Sequence, residues 1–106
     1  MGARDRLLRE PPAEFQELSM LMHQDLIYEI TRERPIEMYL AENVRPKDRV
    51  AVLSYLDALL ARHDIDSSEL KGLLKKTIGY PAQAKQARGF LEAFRDNLRT
   101  KTEKNV

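Results

Sequence analysis

The sequence contains no cysteine in its 106 residues. This absence excludes disulfides, thiolate nucleophiles and cysteine-ligated zinc or iron–sulfur sites, and it is typical of proteins in the reducing cytoplasm. No apolar run approaches the roughly 20 residues that a membrane-spanning helix needs. Residues 1–9 carry three arginines with no apolar stretch behind them. We therefore expect no secretory signal, no membrane partner and a cytoplasmic location.

Glycine and histidine are also scarce. The four glycines never cluster, so the sequence has no glycine-rich loop of the kind that holds phosphate groups. The two histidines, His23 and His63, lie neither in a recognisable nucleophile arrangement nor at a helical metal-ligand spacing. The net charge of +1 argues against a general nucleic-acid binder, which carries a basic excess on one face. We expect no enzyme activity, no metal or cofactor site and no direct nucleic-acid partner.

What the sequence does contain is a helical pattern of apolar residues. They recur at steps of three and four, and no stretch alternates with the period of a strand. Prolines at positions 11, 12, 35, 46 and 81 divide the chain into helix-length pieces. The sequence predicts an all-α, compact single-domain bundle of about five helices over residues 13–99. We expect a flexible segment at residues 1–12 and a frayed tail at residues 100–106.

The first two helices have clear starts and less clear ends. The first begins after Pro12 and breaks near His23, although the apolar residues at 26–30 fit either a continued helix or an extended connector that fills the core. The second begins near Pro35 and stops around Asn43, a residue that tolerates a left-handed helix end.

Three further helices follow. The third runs from Pro46 to His63 and is expected to be central. Its apolar stripe comprises Val50, Leu53, Leu56, Leu59 and Leu60. The fourth is capped by either Asp66 or Ser67 and ends at Gly79. The fifth follows Pro81 and carries Ala84, Ala87, Phe90, Leu91, Phe94 and Leu98.

Charge is unevenly distributed along the chain. Residues 10–48 hold four bases and nine acids, a net charge of −5, whereas residues 49–106 carry a net charge of +4. The acidic segment is either an ordinary solvated surface or a docking face for a basic partner. Its candidate binding residues are Glu14, Glu17, Glu29, Glu33, Glu37 and Glu42.

Residues 15–26, which read FQELSMLMHQDL, resemble the opening of small helical immunity proteins from bacterial contact-dependent growth inhibition systems. That family has a phenylalanine-led helix followed by an aromatic-His-Gln-Asp-aromatic turn. Residues 53–60, 69–73 and 89–98 resemble its later helices, so the similarity spans about residues 13–98. Met22, Leu26 and Phe90 stand where the family tends to have aromatic residues or tryptophan.

The resemblance implies a protein that binds and inactivates the C-terminal toxin domain of an inhibition effector, as a one-to-one heterodimer. Such toxins are often nucleases, and some act on tRNA. The family turn at His23, Gln24 and Asp25 is expected to be structural, because a histidine beside a helix end usually satisfies backbone carbonyls or a nearby carboxylate. The alternative function is a small helical adaptor or regulator that binds proteins through an apolar groove.

Overall fold

Six helices account for most of residues 2–21, 35–79 and 83–104, which are the residues that the computed structural model describes. These residues contain no β-strand, so the all-α prediction is confirmed. The helices are α1 (Ala3–Arg9), α2 (Ala13–Gln16), α3 (Ile36–Asn43), α4 (Arg49–Ala61), α5 (Ser67–Thr77) and α6 (Ala84–Lys104). A 3-10 helix at Glu17–Leu21 continues α2, and another at Pro46–Asp48 leads into α4.

The predicted helix starts agree with the structure. Pro12 and Pro35 adopt extended backbone angles, and α2 and α3 begin at the residue after each. Of the two cap candidates for α5, the structure uses Asp66. Its side chain accepts a hydrogen bond from the backbone N–H of Glu69 at 2.8 Å, and the Glu69 carboxylate accepts one from the N–H of Asp66 at 3.2 Å. Gly79 follows α5 with a φ of 73°, the left-handed conformation that glycine adopts without strain.

The bundle is built around α6, which packs against α3, α4 and α5. This corrects the expectation that the helix between Pro46 and His63 is central. The 21 residues of α6 extend for about 31 Å, enough to meet all three neighbours. Its contacts are made by an uninterrupted stripe of buried residues, namely Ala87, Phe90, Leu91, Phe94 and Leu98.

The stripe of α4 also differs from the predicted one at its beginning. Val52, Tyr55, Leu56, Leu59 and Leu60 are buried, whereas Val50 is 68% exposed and Leu53 is only partly buried. Residues 52, 56 and 59 lie on one helix face, and residue 50 lies about 120° away from Leu56 on that helix. Val50 was therefore assigned to the core wrongly.

Near both ends of the chain, the described residues form more helix than the sequence predicted. Residues 3–9 of the predicted flexible segment form α1, and Leu7 and Leu8 pack against the core. The hydroxyl of Tyr55 donates a hydrogen bond to the carbonyl oxygen of Leu7 at 2.6 Å, which fastens α1 to α4. At the other end, α6 continues through the predicted tail to Lys104. The expected break near His23 lies outside the described residues.

We expect Phe94→Ala to lower the free energy of unfolding by about 3–5 kcal/mol, because it removes a fully buried ring from the stripe of α6. Val50→Ala is the matched control, since its side chain is exposed and should change stability by less than about 0.5 kcal/mol. Urea unfolding followed by circular dichroism measures both. Equal losses in the two variants would contradict the placement of the core.

Tyr55 makes stability depend on pH. Burial raises the pKa of its hydroxyl in the folded protein, so the unfolded chain loses this proton first. The contribution to stability is complete below about pH 10, the pKa of an unburied tyrosine, and is lost as the pH rises further. We expect Tyr55→Phe to cost about 1 kcal/mol near neutral pH, through the lost hydrogen bond, and to weaken the decline above pH 10. Urea unfolding of the unchanged protein and of Tyr55→Phe at about pH 8 and about pH 10.5 measures this difference. Equal losses of unfolding free energy between the two pH values would contradict the prediction.

Candidate partner-binding surface

Four of the six candidate glutamates lie in the described part of the chain. Glu14 is on α2, Glu17 begins the 3-10 helix that follows it, and Glu37 and Glu42 lie on α3. Glu29 and Glu33 lie outside the described residues. The family turn, formed by His23, Gln24 and Asp25, lies outside them as well.

Glu14 and Glu17 line one groove, which we call the acidic groove. It has a volume of about 300 Å³ and lies where α2 and its 3-10 extension meet the end of α3 and the start of α4. Its lining residues are Glu14, Glu17, Leu18, Met20, Asn43, Val44, Arg45 and Asp48. The spacing of Glu14 and Glu17 explains their proximity, because residues three apart are neighbours on a helical surface.

The end of α3 forms one wall of the acidic groove. The side-chain amide of Asn43 donates a hydrogen bond to the carbonyl oxygen of Tyr39 at 2.8 Å. This bond ties the side chain of Asn43 to the backbone one turn earlier in the helix. Asn43 does not adopt the left-handed conformation that the sequence allowed, since the described residues other than glycine all have negative φ. The next residue, Val44, is extended and buried.

Arg45 holds the charges of the acidic groove together. Its Nε donates to Oδ2 of Asp48 at 2.8 Å, and its Nη2 pairs with the Glu17 carboxylate. The hydrogen bond that Arg45 donates to Asp48, and then the charges of Asp48, Glu17 and Glu14, raise the pKa of the Arg45 guanidinium. Asp48 is only 9% exposed, so its carboxylate depends on this partner. Three acids therefore face one base, and the groove carries a net charge of −2.

Met20 adds an apolar element to this charged groove. Its side chain is 70% exposed, the most exposed of the large hydrophobic residues in the described part of the chain. Leu18, two residues earlier, is buried and belongs to the core. The 3-10 helix thus points one apolar side chain inward and leaves another in solvent beside Glu14 and Glu17. The groove therefore combines one exposed apolar side chain with charged neighbours.

Glu42 belongs to a different groove. It lines a cleft of about 170 Å³ between α3 and α6, together with Met38, Asn97, Thr100 and Lys101. Glu37 is half-buried on α3 and lines neither groove. The structure therefore brings together Glu14 and Glu17, but not the whole predicted set. Met20, Arg45 and Asp48 are groove residues that sequence reasoning did not assign to the site.

A third groove, of about 380 Å³, lies between α1 and α4. Its lining residues are Arg6, Leu7, Glu10, Ala58 and Arg62. Arg62 is paired with Asp64 at 2.9 Å. The carbonyl oxygens of Leu60 and Arg62, at the end of α4, accept hydrogen bonds from Arg88 at 3.0 Å. Arg88 thus satisfies two carbonyl groups at the end of α4, and the nearby His63 is exposed.

Within residues 2–21, 35–79 and 83–104, no cluster of three or more histidine, aspartate or glutamate side chains is placed to hold a metal ion. None of the helices described is long and apolar enough to cross a membrane. No family model, curated protein or solved structure matches the chain.

Proposed function

We propose that this protein is a cytoplasmic immunity protein. It binds and neutralises the toxin domain of a contact-dependent growth inhibition effector, and the acidic groove is its main contact surface. The observation that carries this proposal is the exposure of Met20 in a groove with a net charge of −2. The resemblance of residues 15–26 to immunity proteins of these systems supports the same function.

The charge of the surface fits a toxin that acts on nucleic acid. Residues 10–21 and 35–48 contain six acids and two bases. A nuclease must present a basic groove to the phosphates of its substrate, and an acidic face attracts and covers such a groove. Exposed charges of this kind mainly increase the rate of association and select the partner. They supply little affinity by themselves.

Affinity must therefore come from apolar contacts. A lethal enzyme has to be bound almost completely, which requires a dissociation constant near nanomolar, or about −12 kcal/mol. A few central side chains usually provide most of such binding energy, inside a rim of charged residues. Met20 has this position, and the unbranched methionine side chain adapts readily to a partner surface.

One observation favours the alternative function of a helical adaptor. The groove between α1 and α4 has the greatest volume of the three grooves described above, and its wall contains Leu7 and Ala58. An adaptor would bind a partner segment there and would leave the acidic groove free. The two functions therefore place the partner on different surfaces of the molecule.

The direct test uses the toxin domain encoded by the gene immediately upstream. We expect the two purified proteins to form a one-to-one complex in which the toxin is inactive. Binding without inhibition would favour the adaptor, and absence of binding would contradict the proposal.

Met20→Ala should increase the dissociation rate of the toxin about tenfold, because it removes the proposed apolar anchor. Val50→Ala is the matched control: Val50 has nearly the same exposure, 68% against 70%, but lies outside the acidic groove. Neither change should alter the free energy of unfolding by more than about 0.5 kcal/mol. Surface plasmon resonance measures the rates, and equal effects of the two variants would exclude Met20 from the interface.

Replacement of Glu14 and Glu17 by lysine reverses two charges. It should slow association with the toxin about tenfold or more and reduce the salt dependence of the association rate. The same reversal at Glu92 and Glu103, two exposed residues of α6, makes an equal change in net charge outside the groove. Association rates across a range of ionic strength distinguish the two sets. If the Glu92 and Glu103 variant binds more slowly and the Glu14 and Glu17 variant does not, the acidic groove is not the contact surface.

A further inference from the structure

The first helix is short and only partly covered by the bundle. α1 has 7 residues, too few to be stable as an isolated helix in water. Gly2 stands at its N-cap position and has no side chain with which to cap it. Leu7 and Leu8 pack against the core but are only partly buried. By comparison, Leu56 of α4 and Leu74 of α5 are fully buried. The contacts that hold α1 in place therefore bury little of its surface.

The end of α1 depends on a hydrogen bond from another helix. Inside a helix, the carbonyl oxygen of Leu7 accepts a hydrogen bond from the N–H four residues later. That residue is Pro11, which has no N–H to donate. The hydroxyl of Tyr55, in α4, donates to this carbonyl oxygen at 2.6 Å instead. α4 is also the described helix that α1 contacts most. The Tyr55 hydroxyl thus supplies a bond that the sequence of α1 cannot supply itself.

The segment after α1 is anchored separately. Pro11 is buried, and its carbonyl oxygen accepts a hydrogen bond from the side-chain amide of Gln16 at 2.8 Å. Phe15 of α2 is fully buried, and its ring lies 4.9 Å from that of Tyr55. These contacts do not involve a residue of α1. Glu10, which is exposed, is the single residue between α1 and Pro11. Detachment of α1 can therefore stop at Glu10.

The junction between α1 and α4 contains open space. The groove of about 380 Å³ between them has Arg6, Leu7 and Glu10 on one side and Ala58 and Arg62 on the other. A further groove, of about 290 Å³, lies along α1 itself. Its lining residues are Asp5, Arg6, Arg9 and Glu10. Both volumes are large enough to hold water, and atoms that line such a space lack packing partners on that side. Separation of α1 from α4 therefore breaks fewer contacts than separation of closely packed helices.

We propose that α1 is a lid. It opens and closes as a unit about Glu10 while the other helices stay folded, and the Tyr55 hydroxyl is the latch that holds it closed. Regions with few buried apolar contacts open locally at a smaller free-energy cost than global unfolding. Opening removes the partial burial of Leu7 and Leu8 and the bond from Tyr55. It leaves the buried stripe of α6 intact.

Opening of the lid changes a binding surface. The groove between α1 and α4 loses the wall formed by Arg6, Leu7 and Glu10, so it exists in the closed state alone. A ligand in that groove would hold α1 closed, because a ligand stabilises the state that it binds. The acidic groove has no lining residue from α1 and keeps its lining residues in both states. The lid therefore controls the surface that an adaptor would use, and its opening is independent of the proposed toxin contact.

Native-state hydrogen exchange of the full chain, followed by NMR in low concentrations of urea, tests the proposal. After correction for intrinsic rates, the amides of α1 should exchange at least about 100-fold faster than those at the centre of α6, yet more slowly than in an unstructured peptide. Exchange in α1 should hardly depend on urea, because local opening exposes little surface. Exchange in α6 should accelerate steeply with urea, because it requires global unfolding.

Tyr55→Phe should accelerate exchange in α1 about fivefold, because it removes the latch. Ile78→Val is the matched control. It shortens a fully buried side chain at the end of α5, and its effect on stability is similar to the loss of one hydrogen bond. It should accelerate exchange in α6 about fivefold and change exchange in α1 less than about twofold, because the opening of α1 does not disturb Ile78. Circular dichroism verifies that both variants fold.

Four results would overturn the proposal. Exchange in α1 that is as slow as in α6, or that accelerates with urea in parallel with α6, would show that α1 unfolds together with the bundle. Exchange as fast as in an unstructured peptide would show that there is no closed state. An equal response of α1 to Tyr55→Phe and Ile78→Val would exclude Tyr55 as the latch. The assay does not involve the toxin, so its outcome is independent of the immunity function.

Discussion

The fold depends on the burial of a single apolar stripe on α6. Phe94, Leu91 and Leu98 are fully buried in it, and each such side chain contributes about 1.5–3 kcal/mol when removed from water. The short helices α3 and α5 have 8 and 11 residues, too few to be stable as isolated helices in water. Their position is therefore determined by packing against α6. The position of the acidic groove, one wall of which is the end of α3, depends on this contact as well.

Two polar contacts complete the arrangement where the hydrophobic contacts are few. Tyr55 donates to the carbonyl oxygen of Leu7, and its ring lies 4.9 Å from that of Phe15, so one side chain connects α1, α2 and α4. Arg45 joins the 3-10 helix after α2 to the start of α4 through Glu17 and Asp48. The second contact also shapes the surface: it neutralises the nearly buried Asp48 and fixes one side of the groove in which Met20 stays exposed.

Local signals made much of this structure predictable. Asp66, Glu69 and Gly79 determine both ends of α5 through contacts within a few residues, and Pro12 and Pro35 determine the starts of α2 and α3. Predictions failed where the apolar pattern is short or where the contacting residue is distant in the sequence. Leu7 and Leu8 are too few to show a helical period, although Tyr55 and the core hold them in α1. The pairing of Arg45 with Glu17 spans 28 residues and follows from tertiary packing alone. Of the predicted site residues that the structure describes, Glu14 and Glu17 line one groove and Glu42 lies at another cleft.

The separation of charge arises because the ionised side chains are paired differently on the two surfaces. In the acidic groove one arginine is shared among three carboxylates, so a negative charge remains beside an exposed methionine. On α5 the core-facing positions are leucines, and the outward positions are left to lysines without an acidic partner in the described chain. A chain with a net charge of +1 thereby presents two surfaces of opposite sign. Interactions between exposed charges weaken beyond about 8–10 Å in salt, so each charged surface acts mainly on groups close to it. Net charge alone therefore does not describe this protein, because the packing of the helices around α6 determines where each sign of charge is exposed.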